Sequence, residues 1–491
     1  MRPISGSNSN SLKCRLAGSV LCLLGLIPAS VVAGAEDAPA AVKHVILMIS
    51  DGCGYNTWDA ASMYQGRWDA GAGKSTQIYD GPGWVKYACS TYPLNTSVAP
   101  TGSGVQDKNV IYDPVKAWDR QKGYAWLSET YTDSAAAATA LSTGTKTYNN
   151  AINWSDQKQP LQPTMSEAAK AAGKSTGVVT SVQWSHATPA GLSNAHNADR
   201  DNYVEIANAM LSGGAMDVIM GCGNPDYDNN GVPVKKSKEY KYVGGPKTWK
   251  AIEAARATAG GTYQGFRPVS TKAEFEALAS GPAPRRVVGT AQAATTLQQA
   301  RRAAKTEEPG ADTPRNANVP SLTTMVRGAL NVLDDNPKGL FLLVEGGAVD
   351  WAAHSNHARR MIQEQVDFVA AVEAVAAWVE ANSSWNETLL VVTSDHETGL
   401  IWGPQSDKIP FQPIVDQGPN RIPEMRFNSK THSNSLLPVY AQGARSSLLS
   451  RLVTGDDPVR GPYVDNTGVA RLLRHAAGGV PLEAGGSRSS P

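Results

Sequence analysis

Short apolar runs in this chain end repeatedly on acidic or imidazole side chains. Runs of this length are typical of buried strands, and the clearest are residues 44–50, 341–344 and 388–394. The first run is followed by Asp51, the second by Glu345, and the third by Asp395 and His396. Parallel strands bring their carboxyl ends to one edge of a sheet, where open α/β proteins bind ligands. We therefore expect these four side chains to meet there, although a single Asp-Gly pair is also common in turns.

A helix is predicted directly after the second of these strands. Gly346 and Gly347 allow a sharp turn, and Asp350 and His354 then lie four residues apart. This spacing puts both side chains on one helical face, where they can hold one ion. Taken alone, the segment fits a polar loop with an ordinary helix start equally well. Apolar positions at helical spacing predict further helices at residues 203–211, 321–332 and 362–379.

An alanine-rich helix is predicted to begin near Ser134. Thr132 or Asp133 can cap its start, and Gly144 can end it. Ser134 then lies in the first turn, where unpaired N–H groups and the positive end of the helix dipole favour an anion. On local evidence alone, a second capping role for Ser134 is the simpler interpretation.

The other segments are less regular. A strand at 174–184 precedes His186, Thr188 and Arg200, and a last strand at 436–441 follows His432. A histidine after a strand is more often structural than a ligand. We expect loops and short edge strands at 65–128 and an inserted cap at about 213–320. Within this cap, residues 226–231 match the first half of a calcium loop, but Ser237 replaces the required Glu, so a plain turn is favoured.

Composition and the N-terminal residues indicate an exported protein without a nucleic-acid surface. The formal net charge is +1 and 18% of the 491 residues are charged, which excludes a strongly basic field. Basic residues precede an apolar run at 16–27, and Ala33-Gly34-Ala35 fits a cleavage site, so residues 1–35 are predicted to be a signal peptide. No other segment approaches the ~20 apolar residues of a membrane span. The cysteines that remain, Cys53, Cys89 and Cys222, allow at most one disulfide, whose pairing stays open.

Together these segments predict a site with several metal ions. Carboxylates and imidazoles that follow different strands cannot converge without cations that offset their repulsion and desolvation. Mixed Asp/His ligands suit Zn²⁺, whereas an all-oxygen site with Glu and Thr suits Mg²⁺.

With these motifs the chain resembles the alkaline phosphatase family. The residues that carry the resemblance are Asp51-Gly, Thr132-Asp133-Ser134-Ala-Ala, His186-Ala-Thr188-Pro, Arg200-Asp, Glu345-Gly-Gly-x-x-Asp350-x-x-x-His354, Asp395-His396-Glu and His432. The resemblance implies an α/β fold, a three-layer sandwich whose central, mostly parallel sheet is flanked by helices, with a cap or crown insertion. It also implies that this domain covers residues 36–480, and that 481–491 form a flexible tail.

The resemblance also implies a role for each matched residue. A first zinc would be held by Asp350, His354 and His432, and a second by Asp51, Asp395 and His396. Asp51 would reach a third site, normally magnesium, with Glu345 and Thr188. Ser134 would be the nucleophile that becomes phosphorylated, and Arg200 would bind phosphate oxygens. His186 is a further candidate ligand of the third site. It stands where many members have Asp, and Trp351 stands where many have Lys, so the identity of the third metal is left open.

The implied activity is hydrolysis of small phosphate monoesters by a periplasmic or extracellular enzyme. A homodimer is expected from the resemblance alone, and no membrane anchor is expected after signal cleavage. One alternative is a related enzyme that acts on phosphodiesters, sulfate esters or phosphosugars. Sulfatases carry a Cys/Ser-x-Pro-x-Arg context, which is absent around Ser134. Another alternative is a periplasmic phosphate-binding protein, which needs neither Ser134 nor so many ligands.

Overall fold

In the computed structural model, residues 42–237, 239–302, 314–478 and 481–482 are described. The predicted signal peptide at 1–35 and all but two residues of the predicted tail lie outside these ranges. No helix of the described residues has the length and apolar character needed to cross a membrane.

Strand β1 lies at the centre of the sheet, and its side chains alternate between two apolar cores. Val45 and Leu47 pack into one core, Ile46 and Met48 into the other, and every residue of the strand is buried. A strand that is buried on both faces needs a continuous apolar sequence, which is the pattern of residues 44–50. Helices therefore cover both faces of the sheet, and the predicted three-layer α/β fold is confirmed.

The strands are β1 (His44–Ser50), β2 (Trp68–Asp69), β3 (Lys74–Ser75), β4 (Trp84–Ser90), β5 (Ser175–Gln183), β6 (Val218–Cys222), β7 (Arg267–Val269), β8 (Val287–Thr290), β9 (Leu340–Gly346), β10 (Thr388–Thr393), β11 (Glu397–Thr398), β12 (Ile401–Trp402), β13 (Arg426–Phe427), β14 (His432–Ser433), β15 (Leu437–Gly443), β16 (Val453–Asp457) and β17 (Gly461–Asp465). Eleven of them form one sheet, in the order β16-β17-β4-β15-β10-β1-β9-β5-β6-β8-β7. The neighbours from β10 to β7 are parallel, whereas β15 is antiparallel to both β10 and β4.

The helices are α1 (Tyr55–Tyr64), α2 (Pro114–Ala117), α3 (Gly123–Glu129), α4 (Ser134–Thr143), α5 (Met165–Ala171), α6 (Ala187–Leu192), α7 (Tyr203–Ser212), α8 (Gly245–Ala257), α9 (Lys272–Leu278), α10 (Leu322–Leu333), α11 (Ala348–His354), α12 (Ala358–Asn382) and α13 (Asn466–Ala476). Helices α1, α10 and α12 contribute to the core of Ile46 and Met48, whereas α4, α6, α7 and α13 contribute to the core of Val45 and Leu47.

The register of the central strands determines where the candidate site lies. Ile49 of β1 pairs with Glu345 of β9 on one side and with Thr393 of β10 on the other. At or just beyond these pairs the three strands end within one residue of one another, β1 at Ser50, β9 at Gly346 and β10 at Thr393. Asp51 and the segment after β10 therefore meet beside Glu345, as expected for the carboxyl edge of parallel strands.

Two segments are more regular than the sequence pattern predicted. The 65–128 stretch contains β4, a seven-residue strand inside the sheet, so the expectation of loops and short edge strands is wrong there. The 213–320 stretch contributes β6, β7 and β8 to the sheet, so these parts extend the sheet and do not form a cap. Strands β6, β7 and β8 are short and flanked by polar turns. Hydrogen bonds to the neighbouring strands stabilise them, although their local sequence pattern does not predict a strand.

Candidate metal centre and nucleophile

Asp51 is one of the buried carboxylates of the candidate site. It follows β1 directly, is 1% exposed, and neither of its carboxylate oxygens has a hydrogen-bond partner. Gly52 follows with φ +71°, and a β-carbon there would lie 2.7 Å from the β-carbon of Asp350. The turn therefore requires glycine, both for its backbone conformation and for the close approach of α11.

Asp51, Asp395 and His396 form a first cluster. One ligand atom from each lies within 4.8 Å of the others. Asp395 Oδ1 accepts hydrogen bonds from the backbone N–H groups of Gly52 (3.1 Å) and His396 (2.9 Å). Its other oxygen, Oδ2, forms no hydrogen bond and lies 3.2 Å from His396 Nε2. One oxygen thus orients the carboxylate, and the other remains available for a cation.

Asp350, His354 and His432 form a second cluster. The Nε2 atoms of the two histidines are 3.1 Å apart, at 3.3 Å (His354) and 3.6 Å (His432) from oxygens of Asp350. Each Nδ1 faces a backbone carbonyl, at 2.6 Å for His354 and 3.0 Å for His432. Because a carbonyl only accepts, Nδ1 carries a proton in each ring. Nε2 therefore faces the cluster and is the atom that would bind a metal, as in metal-ligating histidines.

The two clusters adjoin at His396. Its ring stacks on that of His432 with centroids 3.6 Å apart, and His396 also lies within 4.8 Å of the ligand atoms of Asp350 and His432. The predicted ligands of both zinc ions therefore lie side by side, on the segments after β1 and β10 and on α11 and β14.

A third group of oxygens lies beside Asp51. Glu345 is fully buried, and its Oε2 accepts a hydrogen bond from Thr180. Its Oε1 and the hydroxyl of Thr188 have no hydrogen-bond partner. Such unpaired buried oxygens are costly unless a cation or water satisfies them. His186 is buried between two rings, 5.5 Å from that of Trp351 and 6.2 Å from that of Tyr203.

Ser134 is the first residue of α4. The preceding Asp133 caps the helix by accepting from the Ala136 N–H at 2.9 Å, so the cap does not need the Ser134 hydroxyl. That hydroxyl lies 3.0 Å from His396 Nε2. The simpler interpretation of Ser134 as a capping residue is therefore wrong, and its oxygen faces the first cluster.

Arg200 reaches the same cavity and is held by Asp133. Its Nη1 donates to Asp133 Oδ2 at 2.8 Å. Burial alone lowers the pKa of Arg200, but the neighbouring Asp133 raises it above its ordinary value, so the guanidinium stays charged. Asp133 thus both starts α4 and orients Arg200, and the remaining N–H groups of the guanidinium can bind an anion.

The pKa values show that Asp51, Asp395 and Glu345 are unfavourable as ionised carboxylates in the absence of cations. Burial, followed by repulsion from Asp395 and Asp350, raises the pKa of Asp51 well above its usual range. Burial raises the pKa of both Asp395 and Glu345 to about 7. Burial also lowers the pKa of His396 well below its usual range. Cations at these positions would favour the ionised carboxylates and the neutral imidazole that bind them.

Asp350 differs from these three carboxylates. Burial opposes its ionisation, but the hydrogen bond with His354 and the nearby His432 lower its pKa, and the same hydrogen bond raises the pKa of His354 to about 9 against the effect of burial.

The cavity that contains Ser134 and Arg200 has a volume of about 590 Å³. It is lined by Thr96, Val98, Ser128, Glu129, Tyr131, Asp133, Ser134, Asn149, Asn150, His186, Arg200, Asp350, Trp351, His354, Thr431 and His432. The sequence pattern missed several supporting residues. Thr180 binds Glu345, and Thr398 donates to Asp350 Oδ1 at 2.5 Å. Only strand pairing could have identified them, because Thr180 pairs with Glu345 of β9 and Thr398 pairs with His432 of β14.

Two further expectations have direct structural outcomes. The carboxylate of Asp226 accepts hydrogen bonds from Ser237 and Trp249, and that of Asp228 from two backbone N–H groups, so the 226–231 segment is a hydrogen-bonded turn. Cys53, Cys89 and Cys222 are buried and free, so no disulfide links them.

Comparisons with known proteins agree with this geometry. A family model described as alkaline phosphatase matches residues 105–446. Alkaline phosphatase 4 of Bacillus subtilis is 34% identical over 276 residues, which are 55% of this chain and 50% of that protein. Alkaline phosphatase of Escherichia coli is 30% identical over 348 residues, which are 64% of this chain and 70% of that protein.

The fold agrees as well. The cold-active alkaline phosphatase from the psychrophile Shewanella sp. superposes with a TM-score of 0.59 at 24% identity, covering 88% of this chain and 99% of that one. The match to the Bacillus relative spans only half of that protein's length, whereas the family match covers most of this chain. By sequence, fold and the arrangement of its candidate ligands, this chain belongs to the alkaline phosphatase family.

Proposed function

We propose that this protein is a metal-dependent phosphomonoesterase that releases inorganic phosphate through a phosphoserine at Ser134. The observation that carries the proposal is the position of the Ser134 hydroxyl. It lies at the start of α4, 3.0 Å from His396 Nε2, in the same cavity as the cationic Arg200. A nucleophile, an anion-binding group and a cluster of metal ligands thus converge on one point.

The residues present fit the metals that the family uses. Unpaired buried oxygens of Asp51, Asp395, Glu345 and Thr188 point into the clusters. Asp350, His354 and His432 would hold one zinc, and Asp51, Asp395 and His396 a second, since mixed N and O ligands suit Zn²⁺. Asp51, Glu345 and Thr188 would hold magnesium with oxygen ligands alone. Bound metal supplies Lewis acidity, which stabilises negative charge on oxygen atoms.

The side chains of this chain would perform the rest of the reaction. Ser134 Oγ attacks phosphorus, the new O–P bond forms as the ester P–O bond breaks, and the alcohol leaves. Water then attacks the phosphoserine and releases phosphate and the free serine. Arg200 can donate to two phosphate oxygens at once, and the N–H groups at the start of α4 favour the same charge. Asp133 keeps Arg200 aimed at this point.

The third metal site differs from that of many family members at His186, which lies two positions before Thr188. We propose that activity depends on added Mg²⁺, because an imidazole replaces the carboxylate of many members. His186→Asp should lower the magnesium concentration needed for half-maximal activity. Full wild-type activity after selective removal of magnesium would contradict this dependence.

The decisive experiment combines turnover with trapping of the intermediate. Purified protein with zinc and magnesium should hydrolyse an aryl phosphate at alkaline pH, much faster than an aryl phosphodiester. Ser134→Ala should abolish the acid-stable phosphoenzyme while inorganic phosphate still binds. Ser212→Ala, an exposed serine at the end of α7, is the matched control. Near-normal turnover by Ser134→Ala would identify another nucleophile, and preferred hydrolysis of the diester would favour the alternative activity.

We also propose that the protein is exported, with cleavage after Ala35, and that it forms a homodimer. N-terminal sequencing of the protein recovered outside the cytoplasm tests the cleavage, and light scattering tests the dimer. An intact residue 1 in the exported protein, or a monomer at micromolar concentration, would contradict the respective expectation.

A further inference from the structure

We infer that residues 95–105 form one wall of the cavity of Ser134 and Arg200, against which the leaving group of the substrate packs. In this leaving-group wall Val98 selects substrates, and Asp156, which contacts the wall from outside, is a positioning residue. The inference rests on the proposed phosphomonoesterase function and names the substrate class: monoesters whose leaving group is uncharged, apolar and large enough to reach Val98, such as a phenyl group. Its starting point is an exposed valine beside the nucleophile.

Val98 lies where a substrate can cover it. Thr96 and Val98 line the same cavity as Ser134 and Arg200. Val98 is 64% exposed, which leaves apolar surface open to water at the edge of the cavity. Removing such surface from water is favourable, so an apolar leaving group that reaches this wall gains binding energy. Residues 95–104 precede the part of the chain that matches the family.

Asp156 holds the wall in a single shape. Its Oδ1 accepts from the backbone N–H of Thr101 at 2.7 Å. Its Oδ2 accepts from the hydroxyls of Thr101 (2.6 Å) and Ser103 (3.3 Å) and from the backbone N–H of Gly104 (2.9 Å). The Asp156 carboxylate is 2% exposed, and hydrogen bonds to a buried carboxylate are among the stronger ones in proteins. One side chain thus organises four donors of the loop.

The wall is also joined to the groups that would bind phosphate. Asn150 donates from Nδ2 to the Val98 carbonyl at 3.5 Å, and its own carbonyl accepts from the Arg200 backbone N–H at 2.8 Å. The neighbouring Asn149 accepts from the Asp133 N–H at 2.9 Å. Val98 therefore has a defined position relative to Arg200, and hence relative to a phosphate group that Arg200 binds.

The charges around the cavity favour an uncharged leaving group. Among the described residues that line it, Arg200 is the only arginine or lysine, whereas Glu129 is exposed at the same cavity. Arg200 is occupied by the phosphate that reacts. A leaving group that carries a second phosphate would meet Glu129 and no further cation of the chain, so it should bind less well.

The test compares phenyl phosphate with methyl phosphate in the metal-loaded enzyme. Taking each variant relative to wild type on each ester cancels their different intrinsic reactivity. Val98→Ala should lower kcat/KM for phenyl phosphate about fivefold, which corresponds to about 1 kcal/mol. Val98→Thr keeps the branched shape but adds a hydroxyl, and should lower it similarly. Both variants should leave methyl phosphate nearly unchanged.

Asp156→Asn tests positioning, with Asp69→Asn as the control. Asp69 is an exposed carboxylate that accepts from the N–H groups of Gly71 and Ala72, both at 3.0 Å, and does not line the cavity. Asp156→Asn should raise KM for phenyl phosphate about threefold with kcat and the inhibition constant of inorganic phosphate unchanged, a loss of about 0.7 kcal/mol. Asp156→Glu should restore part of the loss.

The outcomes separate this inference from the proposed function. Equal losses on phenyl and methyl phosphate, or a weaker inhibition by inorganic phosphate in Asp156→Asn, would contradict the inferred leaving-group wall. Neither result would contradict the proposed phosphomonoesterase activity. A wild-type enzyme that hydrolyses neither ester would overturn the proposed function, and the inference with it.

Discussion

Asp395→Asn separates two effects of this carboxylate: its destabilisation of the metal-free fold and its contribution to metal binding. Asp395 Oδ1 accepts two backbone hydrogen bonds, whereas Oδ2 has no hydrogen-bond partner. An asparagine can keep its carbonyl oxygen at the Oδ1 position and place its amide at the position of Oδ2. The substitution therefore removes the charge and the metal-binding oxygen while it preserves the contacts that shape the loop.

The magnitude follows from the pKa of this carboxyl. Burial raises the pKa of Asp395 from 3.8 to about 7. Because the folded pKa is raised, this carboxyl's favourable contribution is complete below about pH 4 and is lost as the pH rises to about 7. At about 1.4 kcal/mol for each pKa unit, the ionisation of Asp395 costs the metal-free wild type about 4 kcal/mol over this range. Asparagine does not ionise, so the variant avoids the loss.

The assay is urea unfolding at pH 4.5 and pH 8, with a chelator and then with excess zinc. With chelator at pH 8 the variant should be more stable than wild type by up to about 4 kcal/mol, and at pH 4.5 by much less. With zinc the order should reverse, because ligand binding to the folded state stabilises only the protein that binds it. A variant that is less stable than wild type with chelator at pH 8, or that keeps the full zinc stabilisation, would refute the reasoning.

Three further substitutions test other parts of the structure. Gly52→Ala should lower the free energy of unfolding by about 2 kcal/mol or more and weaken zinc retention, because the added β-carbon would clash with Asp350. The control is Gly73→Ala, which has φ +61° but no neighbour within 4 Å, so it should show only the effect of backbone strain. Burial lowers the pKa of His44 to about 4, so with chelator the His44 contribution to wild-type stability should fall by up to about 3 kcal/mol as the pH drops from 6.5 to 4. His44→Phe lacks this loss, so its stability relative to wild type should rise by that amount over the same range; an unchanged difference would contradict this. Lys174→Met should cost about 2 kcal/mol or more in urea unfolding, because the Lys174 ammonium donates to three backbone carbonyls within 3.0 Å; unchanged stability would show that water replaces it.

Local pattern was sufficient for the elements that carry the candidate site. The apolar runs that became β1, β9 and β10 are buried on both faces, so composition alone distinguishes them from exposed strands. The helix start at Ser134 follows from Asp133 and the alanines after it, because capping is a short-range interaction. The spacing of Asp350 and His354 likewise needs only helical geometry.

Pairing between distant segments was decided by the tertiary structure. The register that puts Thr180 beside Glu345 depends on which strands are neighbours, and no local pattern encodes that choice. The same holds for β4. It is only partly buried and its sequence pattern predicts a loop, but β15 and β17 pair with it and make it a strand of the sheet. The contact between the Asp156 carboxylate and the loop of Val98 joins residues more than fifty positions apart. The residue types of the site were therefore readable from sequence, because its chemistry is local, whereas the shape of its walls arose only when the strands assembled.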